Sequence, residues 1–363
     1  MSSGPHPSGR RFGDRPQRRL RVVAIGGGTG LSTLLQGLKR YTAIPGDLCS
    51  NRSPQAPIAS LSAVVTVTDD GGSSGRLRKE LNMLPPGDIR NCIVALSEDE
   101  ALLSKLFRHR FEKGSGLEGH SFGNLFLAAL SAMTKDFGEA VRLSSEILAT
   151  RGHIYPATTA NVELEALLED ETRVRGETRI TASKNRIREL FLVPPDAEPL
   201  PQTVEAIAHA DVISLGPGSL FTSLIPNLLV KGIPRAIAAS PAVKVFICNL
   251  MTQANESLGR TAADHIRALN AHAGERIFDY ALLNCQPVSR KLKAKYALEG
   301  AAPVVADCEA IRALGVVPVL GNYLEEGEVA RHATDRIARD LLKLAAQART
   351  RAETSSPRSP TLA

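Results

Sequence analysis

Residues 21–40, RVVAIGGGTGLSTLLQGLKR, decide the fold. Val22, Val23, Ala24 and Ile25 form a short apolar run rich in β-branched residues, the composition of a strand buried on both faces. A glycine-dense turn follows, and then Leu31, Leu34, Leu35 and Leu38 recur at helical spacing. Strand, glycine turn and helix start together aim free backbone amides and the positive end of a helix dipole at one point, where a bound anion is stabilised. Gly27, Gly28, Thr29 and Gly30 are therefore candidate phosphate contacts. The stretch is not a nicotinamide fingerprint, because GxGxxG counted from Gly26 requires a glycine where Leu31 stands, and no GK[ST] makes it a Walker loop.

Working outward, the pattern repeats. Strands are expected at 21–25, 62–68, 211–215, 243–249, 280–284 and 316–320, most of them followed by a polar, glycine-rich loop. Alternation of such strands with helices implies an α/β fold, a mostly parallel doubly wound sheet whose strand carboxyl ends carry the ligand loops. Helical periodicity over 92–112 and 124–149 predicts a helical cap spanning about 90–150. Polar–apolar alternation over 172–193, around Gly176, predicts antiparallel strands in a small β subdomain within about 160–195. Pro45, Gly46, Pro54 and Pro57 mark 43–59 as a surface loop.

A chain of 363 residues can bury roughly three quarters of the surface its unfolded form exposes. Its net charge of +6 suggests at first a nucleic-acid partner. Residues 1–20 carry +4 of it and residues 346–363 carry +2, which leaves 36 charges of each sign on 21–345. The two ends, rich in Ser, Pro and Arg, are expected to be disordered tails around a single ligand-binding domain. A neutral domain, in a chain with 15 aromatic residues and no Trp, does not build a basic, aromatic nucleic-acid platform. The cysteines at 49, 92, 248, 285 and 308 show no disulfide or zinc spacing. No apolar signal segment opens the chain, and the uncharged run 212–230 is broken by Gly216, Pro217, Gly218 and Pro226. These features predict a cytoplasmic protein without a membrane span.

Further loops supply candidate site residues. In TVTDDGGSSGR, Asp69 and Asp70 could hold Mg²⁺ or accept sugar hydroxyls, while Gly72, Ser73, Ser74 and Arg76 could take phosphate oxygens. Because strand side chains alternate, only one of the two aspartates need face the ligand. In PPGDIRN, Asp88 suits a helix cap, and Arg90 and Asn91 could reach an anion. In GHSFGN, His120 is a candidate proton donor or phosphate contact, with Asn124 beside it. Gly216, Pro217, Gly218 and Ser219 form a rigid turn in which Ser219 can cap the next helix; Asn249, Thr252 and Gln253 suit hydrogen-bond reading of a base or sugar. Asp264 and His265 fit an ordinary loop. No GxSxG, HExxH or Cys/His nucleophile arrangement is present. The residues alone thus point to a phosphorylated, nucleotide-like ligand.

The ordered series IGGGTGL, VVTVTDDGGSSGRLRKEL, PPGDIRN, VALSE, HRF, GHSFGNL, GPGSLFTS, PNLL, ICNLMTQ and TAADH resembles the gluconeogenesis factor family of bacterial proteins, which is related to 2-phospho-L-lactate transferase. The resemblance covers about residues 21–345. It implies an α/β, Rossmann-like fold and a regulator that binds UDP-sugars, notably UDP-N-acetylglucosamine. It further implies a role in cell shape and envelope growth under gluconeogenic conditions, with partners in cell-wall synthesis and a homo-oligomeric state. The alternative it carries is an Mg²⁺-dependent transferase. Two departures stand out: Arg260 occupies a position before TAADH where the family commonly has an aromatic residue, and 43–59 is longer than usual.

Overall fold

The structure, a computed structural model, describes residues 18–43, 56–98 and 100–355. Among the described residues twelve strands run in chain order: β1 (Leu20–Gly26), β2 (Ile58–Val65), β3 (His153–Pro156), β4 (Glu163–Leu168), β5 (Arg173–Arg175), β6 (Ile187–Val193), β7 (Val212–Leu215), β8 (Val243–Ile247), β9 (Tyr280–Asn284), β10 (Val317–Gly321), β11 (Leu324–Glu326) and β12 (Ala330–His332). Seven of them form one sheet in the order β10-β9-β8-β7-β1-β2-β3, and every neighbouring pair in it is parallel. Val22 to Ile25 are all buried although their side chains alternate in direction, so both faces of β1 are covered.

The order of the strands fixes where helices go. From β1 the chain steps outward through β2 to β3, then returns to the other side of β1 and steps outward through β7, β8, β9 and β10. Right-handed crossovers running in opposite directions put their helices on opposite faces. One face carries the helices Gly28–Lys39 and Gly87–Leu96, which pack on each other. The long helix Thr334–Ser355 joins them, and a methyl group on Gly37 would lie 2.8 Å from Thr334 Cβ, so the close crossing needs glycine.

Several sequence expectations are corrected. The expected strand 62–68 is displaced: β2 ends at Val65, and Thr66 follows as the first residue of a loop whose N–H still bonds Gly26 O. Of the expected cap helices, Gly87–Leu96 is a layer helix with Ile89, Cys92 and Ile93 fully buried, which leaves Glu100–Arg108, Phe122–Thr134 and Phe137–Ile147 beside it. Across 172–193, β5 and β6 do not pair with each other: a helix, Glu177–Ala182, separates them and both pair antiparallel with β4. The tail expected from 346 is helical to Ser355, where Arg349 bonds Arg18 O and lies 2.7 Å from Asp211 Oδ1. β3, four residues long, was not anticipated. The 43–59 loop falls mostly outside the described residues, and its last two positions begin β2. Among the described residues no helix is long and apolar enough to cross a membrane.

Candidate functional site

The strand order reverses between β1 and β7, and the loops leaving their carboxyl ends meet there. After β1 the helix Gly28–Lys39 begins without any side-chain cap. Its first internal bond is Leu31 N–H to Gly27 O, so the amides of Gly28, Thr29 and Gly30 point out of the helix end. Gly28 has φ +62°, a left-handed conformation that suits glycine. After β7, the loop 216–219 closes over this helix start. A methyl group on Gly30 would stand 2.3 Å from Pro217 O, so only glycine lets the two backbones touch.

Asn249, at the end of β8, holds the β7 loop in place. Its Nδ2 donates to Gly218 O at 2.8 Å and its Oδ1 accepts from Gly218 N–H at 3.3 Å. Both ends of the amide are thus engaged with backbone, and Asn249 acts as a clamp instead of reading a ligand directly. Gln253 donates from Nε2 to Ser219 Oγ at 2.9 Å. Ser219 does not cap the following helix as expected; Glu256, which sequence reading missed, accepts from the Phe221 and Thr222 amides at 2.8 and 3.0 Å. Burial raises the Glu256 carboxyl pKa despite those bonds. Thr252 also leaves the site, since its side chain and backbone bond Ala302. Asp264 and Thr261 form a capping box, and His265 Nδ1 lies 2.8 Å from Thr261 O. Arg260 stacks over the Phe221 ring and donates to Ile187 O, tying this loop to the β subdomain.

The loop after β2 brings carboxylates to the same place. Asp69 Oδ1 accepts from Gly71 N–H at 2.9 Å, and its Oδ2 would be 2.8 Å from a methyl group on Gly87. Asp70 turns the other way, accepting from Thr178 N–H at 2.8 Å and Thr178 Oγ1 at 2.6 Å. The two aspartates therefore bond to different elements, Asp69 to Gly71 of its own loop and Asp70 to the start of the helix Glu177–Ala182. No group of three or more His, Cys, Asp or Glu side chains stands in a metal-holding arrangement among the described residues.

Asp88 does not cap its own helix, whose N-cap position is Pro86 with no side-chain bond. It accepts from Gly28 N–H, so this carboxylate answers one of the outward amides of the first glycine loop. Burial, reinforced by Asp69, pushes its pKa up to about 6, against the pull of the Gly28 bond and Arg90. Glu177, from the β subdomain, faces the same cluster. Burial, then repulsion from Asp69, Asp88, Asp70 and Glu256, pushes it up to about 9. Alternation across 172–193 hid Glu177 by assigning it to a strand; only its place directly after Gly176 hints at a helix start.

A second group lies beyond Asp88. Ser73 Oγ is 2.9 Å from His120 Nδ1 and accepts from Asn124 Nδ2 at 3.0 Å. Arg90 donates to Ser121 Oγ, Asn124 Oδ1 and Asn91 Oδ1 at 2.7, 2.9 and 2.9 Å, so Asn91 supports Arg90. Arg76 donates to Glu118 O at 2.5 Å. His120 is 2 % exposed, and desolvation followed by Arg76 lowers its pKa, which keeps the ring neutral at pH 7. Of the remaining expected contacts, Ser74 is buried with its hydroxyl close against Gly87, and Gly72 has φ +47° with open space around it.

Concavities among the described residues include about 760 Å³ beside β3 and the helix Phe137–Ile147, about 430 Å³ at the amino ends of β1 and β2, about 120 Å³ between the carboxyl ends of β8 and β9, and about 370 Å³ lined by Asn82, Phe137 and Asn161. The first two do not touch the glycine loops, and only the third shares a residue, Asn249, with the site.

Residues 22–324 match the family described as 2-phospho-L-lactate transferase CofD. The chain is 47% identical over 327 residues to the gluconeogenesis factor of Halalkalibacterium halodurans, covering 90% of this chain and 97% of that one. It is 46% identical over 330 residues to the gluconeogenesis factor of Bacillus subtilis, covering 90% and 99%. A crystal structure of a Bacillus halodurans protein of the UPF0052 family superposes with a TM-score of 0.83 at 47% identity, covering 90% of this chain and all of that one.

Proposed function

Because this chain belongs to the 2-phospho-L-lactate transferase CofD family and its relatives are named gluconeogenesis factors, we propose a gluconeogenesis-related role exercised by binding a UDP-sugar, notably UDP-N-acetylglucosamine. One observation carries this reading: two glycine loops, 27–30 and 216–219, touch at the Gly30–Pro217 contact at the sheet's switch point, where the helix start presents the Thr29 and Gly30 amides. Such a junction suits a diphosphate, whose charge is met by amides and a helix dipole without a basic surface. Asp69, Ser73 and Gln253 supply hydroxyl-binding and amide groups around it.

The protein in this reading is a non-catalytic cytoplasmic regulator and a homo-oligomer, coupling UDP-sugar supply to cell-wall synthesis, cell shape and envelope growth. The Mg²⁺-dependent transferase is the weaker reading, since Asp69 and Asp70 diverge. Titration of the purified protein with UDP-N-acetylglucosamine, with and without Mg²⁺, separates the two. Saturable, metal-independent binding without turnover is the expected result. Mg²⁺-dependent release of UDP favours the transferase, and the absence of any Tm shift with uridine nucleotides defeats the UDP-sugar reading.

A further inference from the structure

Three arginines converge on one short loop without an ion-pair partner among the described residues. Arg76 donates to Glu118 O, Arg110 donates to Gly119 O, and Arg90 donates to Ser121 Oγ. His120 sits between these anchor points with Nδ1 engaged by Ser73. Elsewhere the arginines of this chain commonly meet carboxylates, as Arg142, Arg173, Arg175, Arg188, Arg267 and Arg339 do. Among the described residues no carboxylate lies within ion-pair distance of Arg76, Arg90 or Arg110. Each guanidinium spends one or a few of its five donors on neutral oxygens and keeps its full charge. Burial and then the neighbouring Arg110 depress the pKa of Arg90 against the pull of Asp88 and Asp69, and burial, then Arg76 and Arg110, depress that of His120.

The group is distinct from the glycine junction. Asp88 and Arg90 are two residues apart on the helix Gly87–Leu96, and residues so spaced point to opposite sides. Asp88 takes the Gly28 amide, while Arg90 takes Ser121. Asp88 and Asp69 lie near enough to Arg90 to act on its charge, but neither makes an ion pair with it. A diphosphate on the β1–β7 junction would leave the arginine loop unneutralised.

We propose that the 118–121 loop, with Arg76, Arg90 and Arg110, is a second anion subsite that takes a phosphoryl dianion while the β1–β7 junction holds the nucleotide. The subsite extends the UDP-sugar reading by a second ligand, and rests on that reading only for the occupant of the first. Converging guanidiniums match the tetrahedral oxygens of a phosphoryl group, and the neutral His120 leaves Nε2 to hydrogen-bond it.

The test titrates inorganic phosphate, and separately glycerol 3-phosphate, into the full-length protein by calorimetry, alone and saturated with UDP-N-acetylglucosamine. Arg110→Gln and Arg76→Gln, both at exposed positions, are measured beside the wild type with thermal melts to confirm folding. The proposal expects binding that survives nucleotide saturation and weakens about tenfold or more in each variant, as loss of a charge-assisted hydrogen bond predicts. A preference for the free ion or for the ester names the source of the phosphoryl group, and either upholds the subsite. Displacement of phosphate by the nucleotide, or affinities unchanged in both variants, would overturn it. Should UDP-N-acetylglucosamine fail to bind, the titration without nucleotide still decides the subsite, while the functional reading falls separately.

Discussion

Gly30 and Pro217, 187 positions apart in sequence, are in backbone contact: a methyl group on Gly30 would stand 2.3 Å from the Pro217 carbonyl oxygen and 2.8 Å from its carbon. Neither neighbour is a flexible side-chain end, so the space cannot be made by a rotamer change. Gly30→Ala is expected to push the β7 loop off the helix start, destabilising the protein by about 1–3 kcal/mol, as overpacking does. UDP-sugar affinity should fall with it. Urea unfolding and ligand titration of the variant check both parts, and wild-type values in both would mean that the junction is not the ligand seat.

Asn249 makes two hydrogen bonds to Gly218 and none that an apolar residue could replace. Asn249→Ala should free the β7 loop and cost roughly 1–3 kcal/mol of ligand binding energy, about ten- to a hundredfold in Kd. Calorimetry reads the change directly. Affinity within twofold of wild type would remove the clamp from the account.

The raised pKa of Glu177 has a definite sign. Its carboxyl goes from the usual 4.5 to about 9 in the folded protein, so between those values the native state holds a proton that the unfolded state has lost. Stability contributed at this site therefore falls as pH rises through that window. Glu177→Gln should match wild type near pH 4 and exceed it at pH 8 by roughly 1–2 kcal/mol, a figure reduced for solvent access to a half-buried group. Denaturant unfolding across pH 4–9 follows the difference, and parallel curves would refute the carboxylate cluster.

Asp69 and Asp70 are expected to separate in function. Asp70→Ala removes the acceptor for Thr178 N–H and Oγ1 and should loosen the helix Glu177–Ala182, seen as faster limited proteolysis within 160–195. Asp69→Asn should leave that rate unchanged and weaken UDP-sugar binding. The opposite assignment of effects would reverse the roles given to the two carboxylates.

Much of the sheet was legible because its strands are buried on both faces and read as continuous apolar runs: β1, β7, β8 and β9 each begin within a residue of the expected position. The strand before Asp69 was misplaced for a physical reason. Thr66, Val67 and Thr68 have strand composition and are buried, yet they follow the sheet into the loop that carries the aspartates. β3 was invisible because four residues, His153–Pro156, offer no period. The C-terminal helix was hidden by its Arg-rich composition, although Leu341 and Ile337 show the buried face that holds it. At the site, the glycine loops were readable because backbone geometry demands glycine at Gly28 and Gly30. The partners of polar side chains were not: that Asp88 meets Gly28, Asn249 clamps Gly218 and Glu177 joins Asp69 depends on contacts between distant segments.

Hydrogen exchange of the backbone amides with and without UDP-N-acetylglucosamine tests the central claim most directly, because the claim is that these amides are the ligand contacts. The account predicts that ligand slows exchange at Thr29, Gly30 and Ser219, while the amino-end amides of β1 and β2 are unchanged. Protection confined to other loops, or no protection despite saturating ligand, would contradict it.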